Sequence, residues 1–296
     1  MRDSFSSYHP AVNMLYFILV IVFAMVFIHP VCLVLSFVCA FSYTVYLNGR
    51  RALTFALVGM LPMLLTAALI NPAFNHRGST ILSYLSSGNP LTLESLIYGA
   101  AAALMLVTVM SWFSCYHAVM TSDKFVYLCG RIIPALSLTL SMALRFVPRF
   151  RAQIKVIARA QACLWRGVSH GGPLRRARHG FRILSIMVTW ALENAIETAD
   201  SMKSRGYGLP GRTAFSLYRF DRRDLRALLF LAAAGAYIVA GAAAGGLYFR
   251  YFPTLQGAWA GGHTLSLFAV YLALGMTPLV INIREDRMWK VIASKI

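Results

Sequence analysis

Arg166 is followed by Gly167 and Arg205 by Gly206, 39 positions later, and each pair closes a segment with helical periodicity. Over 149–165, Phe150, Ile154, Ile157, Gln161 and Leu164 recur at steps of three or four, with Arg151, Lys155, Arg159 and Arg166 on another face. Over 183–204, Leu184, Met187, Val188, Ala191, Ala195, Thr198 and Met202 form a stripe, while Glu193, Glu197 and Asp200 gather elsewhere. These patterns predict two amphipathic helices. The first is expected to stop at Gly167 by a glycine C-cap. The second should end at Ser204-Arg205-Gly206, because Tyr207-Gly208-Leu209-Pro210-Gly211 cannot extend it. Between them, Ser169 to Gly180 reads as a basic loop.

An arginine in a last helical turn can simply offset the negative end of the helix dipole. It can also present a planar fork of donors to carboxylates or carbonyls on another protein. Two such ends would make two docking contacts. Composition leaves both readings open.

Other chemistry is thin. The chain has no Gly-x-x-x-x-Gly-Lys-Ser/Thr run for a P-loop, so energy would have to come from a partner. Asp221-Arg222-Arg223-Asp224 has two carboxylates but no dense acidic cluster around them, and reads as a charged lead-in to an apolar helix. The histidines (His9, His29, His76, His117, His170, His179 and His263) lack metal-ligand spacing, so no metal or cofactor is expected. His76 and Asn75 read as ordering a loop, and Glu94 as suiting a helix N-terminus. Cys32, Cys39, Cys115, Cys129 and Cys163 show no Cys-x-x-Cys spacing and read as packing residues.

The elements that must carry the two arginine-tipped helices are apolar. Hydrophobic residues fill 58% of 296 positions and charged residues only 13%, about half the share in a soluble domain. Windows near 11–28, 31–47, 52–70, 94–118, 227–249 and 264–283 are long enough to cross a bilayer. They predict an all-α, polytopic membrane protein with about six transmembrane helices and amphipathic helices on the cytoplasmic side. The start, Met1-Arg2-Asp3, lacks a strongly basic region, so the first window reads as a retained span. Residues 71–93 read as a loop.

Window 125–144 is apolar but carries Arg131 and Pro134, and charge decides its place. If it spanned, Arg145 to Arg226, with 17 Lys and Arg against 5 Asp and Glu, would lie outside. That opposes the positive-inside bias. Held inside as a hydrophobic helix under the spans, it leaves both termini cytoplasmic and only Arg77 and Arg250 of the Lys and Arg outside. The chain then divides into transmembrane helices over 1–122, a cytoplasmic domain over 123–224, and transmembrane helices with a tail over 225–296. The net charge of +18 suits anionic lipid. The rival readings are a basic module binding nucleic acid through 145–182, which has few aromatics to stack on bases, and a membrane enzyme, whose spans would lack a carboxylate beyond Glu94.

Four stretches resemble the transmembrane T component of energy-coupling factor (ECF) transporters, the family that includes the CbiQ proteins. They are His9-Pro10-Ala11-Val12-Asn13, the run Asn71 to Gly78, Leu144-Arg145-Phe146-Val147-Pro148 leading to Trp165-Arg166-Gly167, and Thr198 to Gly208. The resemblance implies a non-catalytic coupling subunit of an ABC-type importer for a vitamin or metal ion. It would link two cytoplasmic ATPases to a substrate-binding (S) subunit in the cell membrane, with no nucleic-acid partner. In that family, x-Arg-x motifs end the coupling helices and insert into the ATPases. The matching positions are Trp165, Arg166 and Gly167, and Ser204, Arg205 and Gly206; both depart from the frequent Ala-Arg-Gly at the first residue.

Overall fold

The computed structural model describes residues 3–84, 90–165, 172–210, 218–257 and 261–294. Its helices are α1 (Pro10–Val26), α2 (Pro30–Asn48), α3 (Arg50–Phe55), α4 (Leu61–Phe74), α5 (Leu93–Val119), α6 (Ser122–Ile132), α7 (Pro134–Cys163), α8 (Pro173–Ser204), α9 (Arg222–Ala243) and α10 (Gly262–Ala293). Two short antiparallel pairs complete it: β1 (Ile81–Tyr84) with β2 (Pro90–Thr92), and β3 (Phe249–Arg250) with β4 (Gln256–Gly257). The chain is an all-α polytopic membrane protein. Among the described residues, five helices are long and apolar enough to cross a membrane: Pro30–Asn48, Ala52–Phe74, Leu93–Val119, Arg222–Ala243 and Gly262–Ala293. The first apolar window forms Pro10–Val26, which at 17 residues is shorter than these and sits at the lower limit for a span.

Two compact units divide the chain, residues 1–125 with 218–296 and residues 126–217. The first contains the apolar helices. Its core centres on Trp112, Tyr16, Tyr43, Phe5 and Phe17, all fully buried, with Tyr16 meeting Trp112 edge-on at 5.9 Å. A bilayer offers no water, so polar groups there need partners within the protein. Trp112 Nε1 donates to Ser36 Oγ at 3.0 Å and the Tyr16 hydroxyl to the Gly275 carbonyl at 3.0 Å. Small residues let helix axes approach closely. A Cβ at Gly99 in α5 would lie 2.7 Å from the Ala68 carbonyl oxygen of α4.

Two helices start on the same device. His9 and His29 each precede a proline at the first turn, and each imidazole Nδ1 accepts from a backbone N–H two residues on, Ala11 at 3.2 Å and Val31 at 3.3 Å. Proline suits that turn because its missing donor would be unpaired anyway, and the imidazole covers a neighbouring donor. Asp221 and Asp224 make the reciprocal capping box of α9.

Several expectations need correction. The stretch 71–93 is more than a loop: α4 runs to Phe74 and β1 pairs with β2. Glu94 lies in the first turn of α5 as expected, and its carboxylate also holds the preceding segment, accepting from Ser79 Oγ at 3.0 Å, Thr80 Oγ1 at 2.8 Å and the Thr80 N–H. Asn75 does order its turn, accepting from the Arg77 N–H at 3.3 Å. The third window contains a π-helical stretch, Ala56–Met60, between α3 and α4. Window 125–144 is two helices. Ile133 leaves helical geometry (φ −134°, ψ 92°), because a residue before proline is pushed from the α region. Finally, residues 173–180, expected in a basic loop, are the first turns of α8. Pro173 pre-sets the helical φ, and one interior glycine, Gly180, costs only about 1 kcal/mol.

Candidate functional site

The second unit is built on α7 and α8. Ile157, Ile183 and Met187 form its buried centre, with Phe150, Ala158 and Trp190 packed around them. Phe150 meets Trp190 edge-on at 5.7 Å, and the Arg149 guanidinium lies 5.4 Å from the Trp190 ring centroid. Moving from Phe150 to Ile157 along α7 matches moving from Trp190 back to Ile183 along α8, so the two helices run in opposite directions. Their C-terminal ends therefore leave the shared contact on opposite sides. Fourteen residues separate Trp190 from Ser204, about 21 Å of helix at 1.5 Å per residue.

The second arginine end is fully described. Ser204 is the last helical residue and Arg205 the C-cap, at φ −87° and ψ 11°. Gly206 follows in the left-handed region at φ +78°. The Gly206 N–H donates to the Lys203 carbonyl at 3.0 Å and the Tyr207 N–H to the Met202 carbonyl at 3.0 Å. This pair of bonds is the Schellman closure of a helix. It consumes backbone groups only, so the Arg205 side chain is left to project, and it is exposed. Ser204 Oγ turns back to the Ser201 carbonyl at 2.9 Å. The left-handed φ at Gly206 favours glycine there.

The first end differs from expectation. Helix α7 stops at Cys163, and Leu164 is its C-cap at φ −92° and ψ 16°. The left-handed residue is Trp165, at φ 60°, whose N–H donates to the Ala162 carbonyl at 3.0 Å. The expected glycine stop at Gly167 therefore comes too late: the helix has turned off two residues before it. Leu164 and Trp165 hold the positions that Arg205 and Gly206 hold in α8. Trp165 is 83% exposed, an unusual setting for so large an apolar side chain, and its left-handed backbone is rare for a bulky residue. Arg166 and Gly167 lie outside the described residues, as does most of the segment expected between the helices.

Arg151, Lys155 and Arg159 are exposed on α7; α8 exposes Arg175, Arg176, Arg178 and Arg182 towards its start and Glu193, Glu197 and Asp200 towards its end. Both helices also expose apolar side chains, among them Ile154, Leu174, Phe181, Leu192 and Ile196. Among the described residues, no group of three or more His, Cys, Asp or Glu is placed to hold a metal ion. The cysteines are free, with Cys163 exposed at the end of α7.

A sequence profile of the cobalt transport protein family, CbiQ, matches residues 2–215. The chain belongs to the CbiQ family. The matched region covers the first four apolar windows, α1 to α8 and both arginine ends, and stops before α9 and α10. Among curated relatives, the chain is 33% identical over 99 residues to the energy-coupling factor transporter transmembrane protein EcfT of Lactobacillus helveticus, which is 33% of this chain and 36% of that protein. It is 32% identical over 96 residues to EcfT of Leuconostoc gelidum, 32% of this chain and 36% of the relative. EcfT of Brevibacillus brevis is 33% identical over 90 residues, 30% of this chain and 34% of the relative. The aligned stretches thus span about a third of each relative's length.

What the sequence missed is the form of the first end. Gly167 and Trp165 both bordered the arginine, and glycine is the usual left-handed residue, so spacing alone favoured the wrong one.

Proposed function

We propose that this chain is the transmembrane coupling subunit of an ECF-type importer, carrying motion from two cytoplasmic ATPases to a substrate-binding membrane subunit. The observation that supports it most is the combination of the family match over both arginine ends with the helix end at Arg205, where a backbone-closed cap leaves an exposed guanidinium. A groove lined by carboxylates or carbonyls on each ATPase would bind such a fork. Arg205, flanked by Ser204 and Gly206, fills one groove. Arg166, flanked by Trp165 and Gly167, fills the other.

In this reading α7 and α8 act as two stiff levers. ATP-driven closure of the ATPases shifts the tips, and the exposed apolar side chains of the same helices pass the movement to the substrate-binding subunit. The chain itself performs no chemistry. Tagged protein drawn from native membranes should bring two ATPase subunits and one further membrane subunit with it; recovery of the chain without any ATPase would refute the assignment.

The orientation that goes with this function puts both termini and the second unit in the cytoplasm, a placement favoured by the excess of Lys and Arg over 145–226. Cys163 offers a native probe, because it is exposed whereas Cys32, Cys39 and Cys115 are buried. A membrane-impermeant maleimide should leave Cys163 unlabelled in intact cells and label it in inverted vesicles. Labelling in intact cells would reverse the orientation.

A further inference from the structure

Residues 3–9 make polar contacts with several distant points of the chain. Asp3 accepts from the Tyr43 hydroxyl of α2 at 3.1 Å and from Asn282 Nδ2 of α10 at 2.6 Å. Asn282 in turn accepts from the Phe5 N–H at 2.9 Å. Phe5 is 1% exposed and packs on Tyr16 of α1 at 5.2 Å. The segment is thus fixed to three apolar helices by its first residues.

Its remaining residues hold two other points of the chain. Lys124, one residue before the first unit ends at Phe125, sends its ammonium to the Ser6 carbonyl at 2.6 Å, Ser6 Oγ at 2.8 Å and the Val119 carbonyl at 2.9 Å. At the other crossing the first unit resumes at Tyr218. There the Phe220 ring meets His9 edge-on at 5.2 Å. Asp224 Oδ1 accepts from the His9 N–H at 3.2 Å. Arg223 donates to Ser7 Oγ at 3.2 Å, lies 4.2 Å from the Tyr8 ring centroid and pairs with Glu285 at 3.6 Å. Both chain crossings are therefore moored to the same few residues, within the first unit.

Lys124 is the unusual member. It is 5% exposed, and among the described residues no carboxylate lies within ion-pair distance of it. Burial pulls its pKa below the ordinary lysine range, with nearby Asp3 opposing the shift. A buried cation without a direct ion pair is costly unless its donors are matched by fixed acceptors. If Lys124 served only to fill space, an apolar side chain would do so without that cost.

We infer that residues 3–9 form a mooring for both connections of the second unit, with Lys124 as a positioning residue that makes ATP-driven motion of that unit reach the membrane helices. The inference rests on the coupling function proposed above. Without a fixed mooring, movement at the tips is absorbed at the two connections instead of being passed on.

The test uses the assembled complex, with spin labels on Cys163 and on a Met288→Cys substitution in α10, where Met288 is 51% exposed, and with Cys129 replaced by Ala. Lys124→Met should broaden the distance distribution between the labels and lower substrate imported per ATP hydrolysed by about fivefold or more, the low end of a typical coupling free energy. Lys124→Arg, which can reach the same oxygens, should restore both. Ser6→Ala removes one acceptor and no charge, and should shift both readouts in the same direction by less; it serves if Lys124→Met does not fold. An unchanged distribution with unchanged import per ATP in Ser6→Ala and Lys124→Met would overturn the inference, as would lowered yield with normal coupling per complex. If the unsubstituted chain assembles with no ATPase, the coupling function itself fails, while the label distances measured on the chain alone still report whether the mooring restrains the second unit.

Discussion

Replacing Arg166 and Arg205 together by alanine is expected to abolish ATP-driven uptake while the protein still inserts and folds. The physical basis is local. Arg205 is exposed beyond a helix closed by backbone bonds alone, so deleting its side chain removes no contact that the cap needs. What is lost, in the function proposed above, is the docking contact. A hydrogen bond to a charged group contributes about 1.5–3 kcal/mol, so two tips together contribute about 3–6 kcal/mol, roughly a 10²- to 10⁴-fold change in an association constant. Each single variant should be impaired by about tenfold to 100-fold. Arg205→Lys should not rescue fully, because a point charge cannot reproduce the planar fork. The measurement is uptake into proteoliposomes alongside the amount of ATPase retained by the tagged chain. Full transport by the double variant would refute the docking role.

Gly99→Leu is expected to be the most damaging single change in the apolar helices. A Cβ there would meet the Ala68 carbonyl oxygen at 2.7 Å, Asn71 Cβ at 3.1 Å and Pro72 Cδ at 3.2 Å. The first of these is backbone and cannot rotate aside, so α4 and α5 must separate. Overpacking of this kind costs about 1–3 kcal/mol or more, and α4 exposes Leu61, Leu65, Leu69, Ile70 and Phe74, leaving it few other contacts to hold it. Thermal unfolding in detergent should show a clear fall in Tm for Gly99→Leu and a smaller one for Gly99→Ala. A Tm equal to that of the unsubstituted chain would mean the close approach of α4 and α5 is not needed.

The apolar helices were the most legible part of the sequence, because the bilayer imposes one requirement, about 20 uncharged residues, and composition displays it directly. The amphipathic stripes of α7 and α8 were legible too, since Ile157 and Met187 on their inner faces recur with the helical period. Less visible were features set by single residues against their neighbours. Pro134 breaks a window that hydropathy reads as continuous, and Pro173 starts a helix where arginines and glycines suggested a loop. The end of α7 was misplaced for a related reason. Pattern rules assign left-handed geometry to glycine, whereas here it falls on Trp165. The mooring of residues 3–9 had no signal at all, because it joins Ser6 to Lys124 and His9 to Asp224 across more than a hundred positions.

The two helix ends also differ in their order of parts. In α8 the arginine stands on the cap, one residue before the left-handed turn; in α7 the turn falls on Trp165 and the arginine comes one residue after it. In the proposed docking, one arginine stands ahead of a bend and the other follows one, and only Arg166 has a large indole as its neighbour in sequence. Two ATPases docking on them would therefore meet two unlike keys. A pair of identical locks would have to tolerate that mismatch, whereas a pair of non-identical ones could use it to tell left from right.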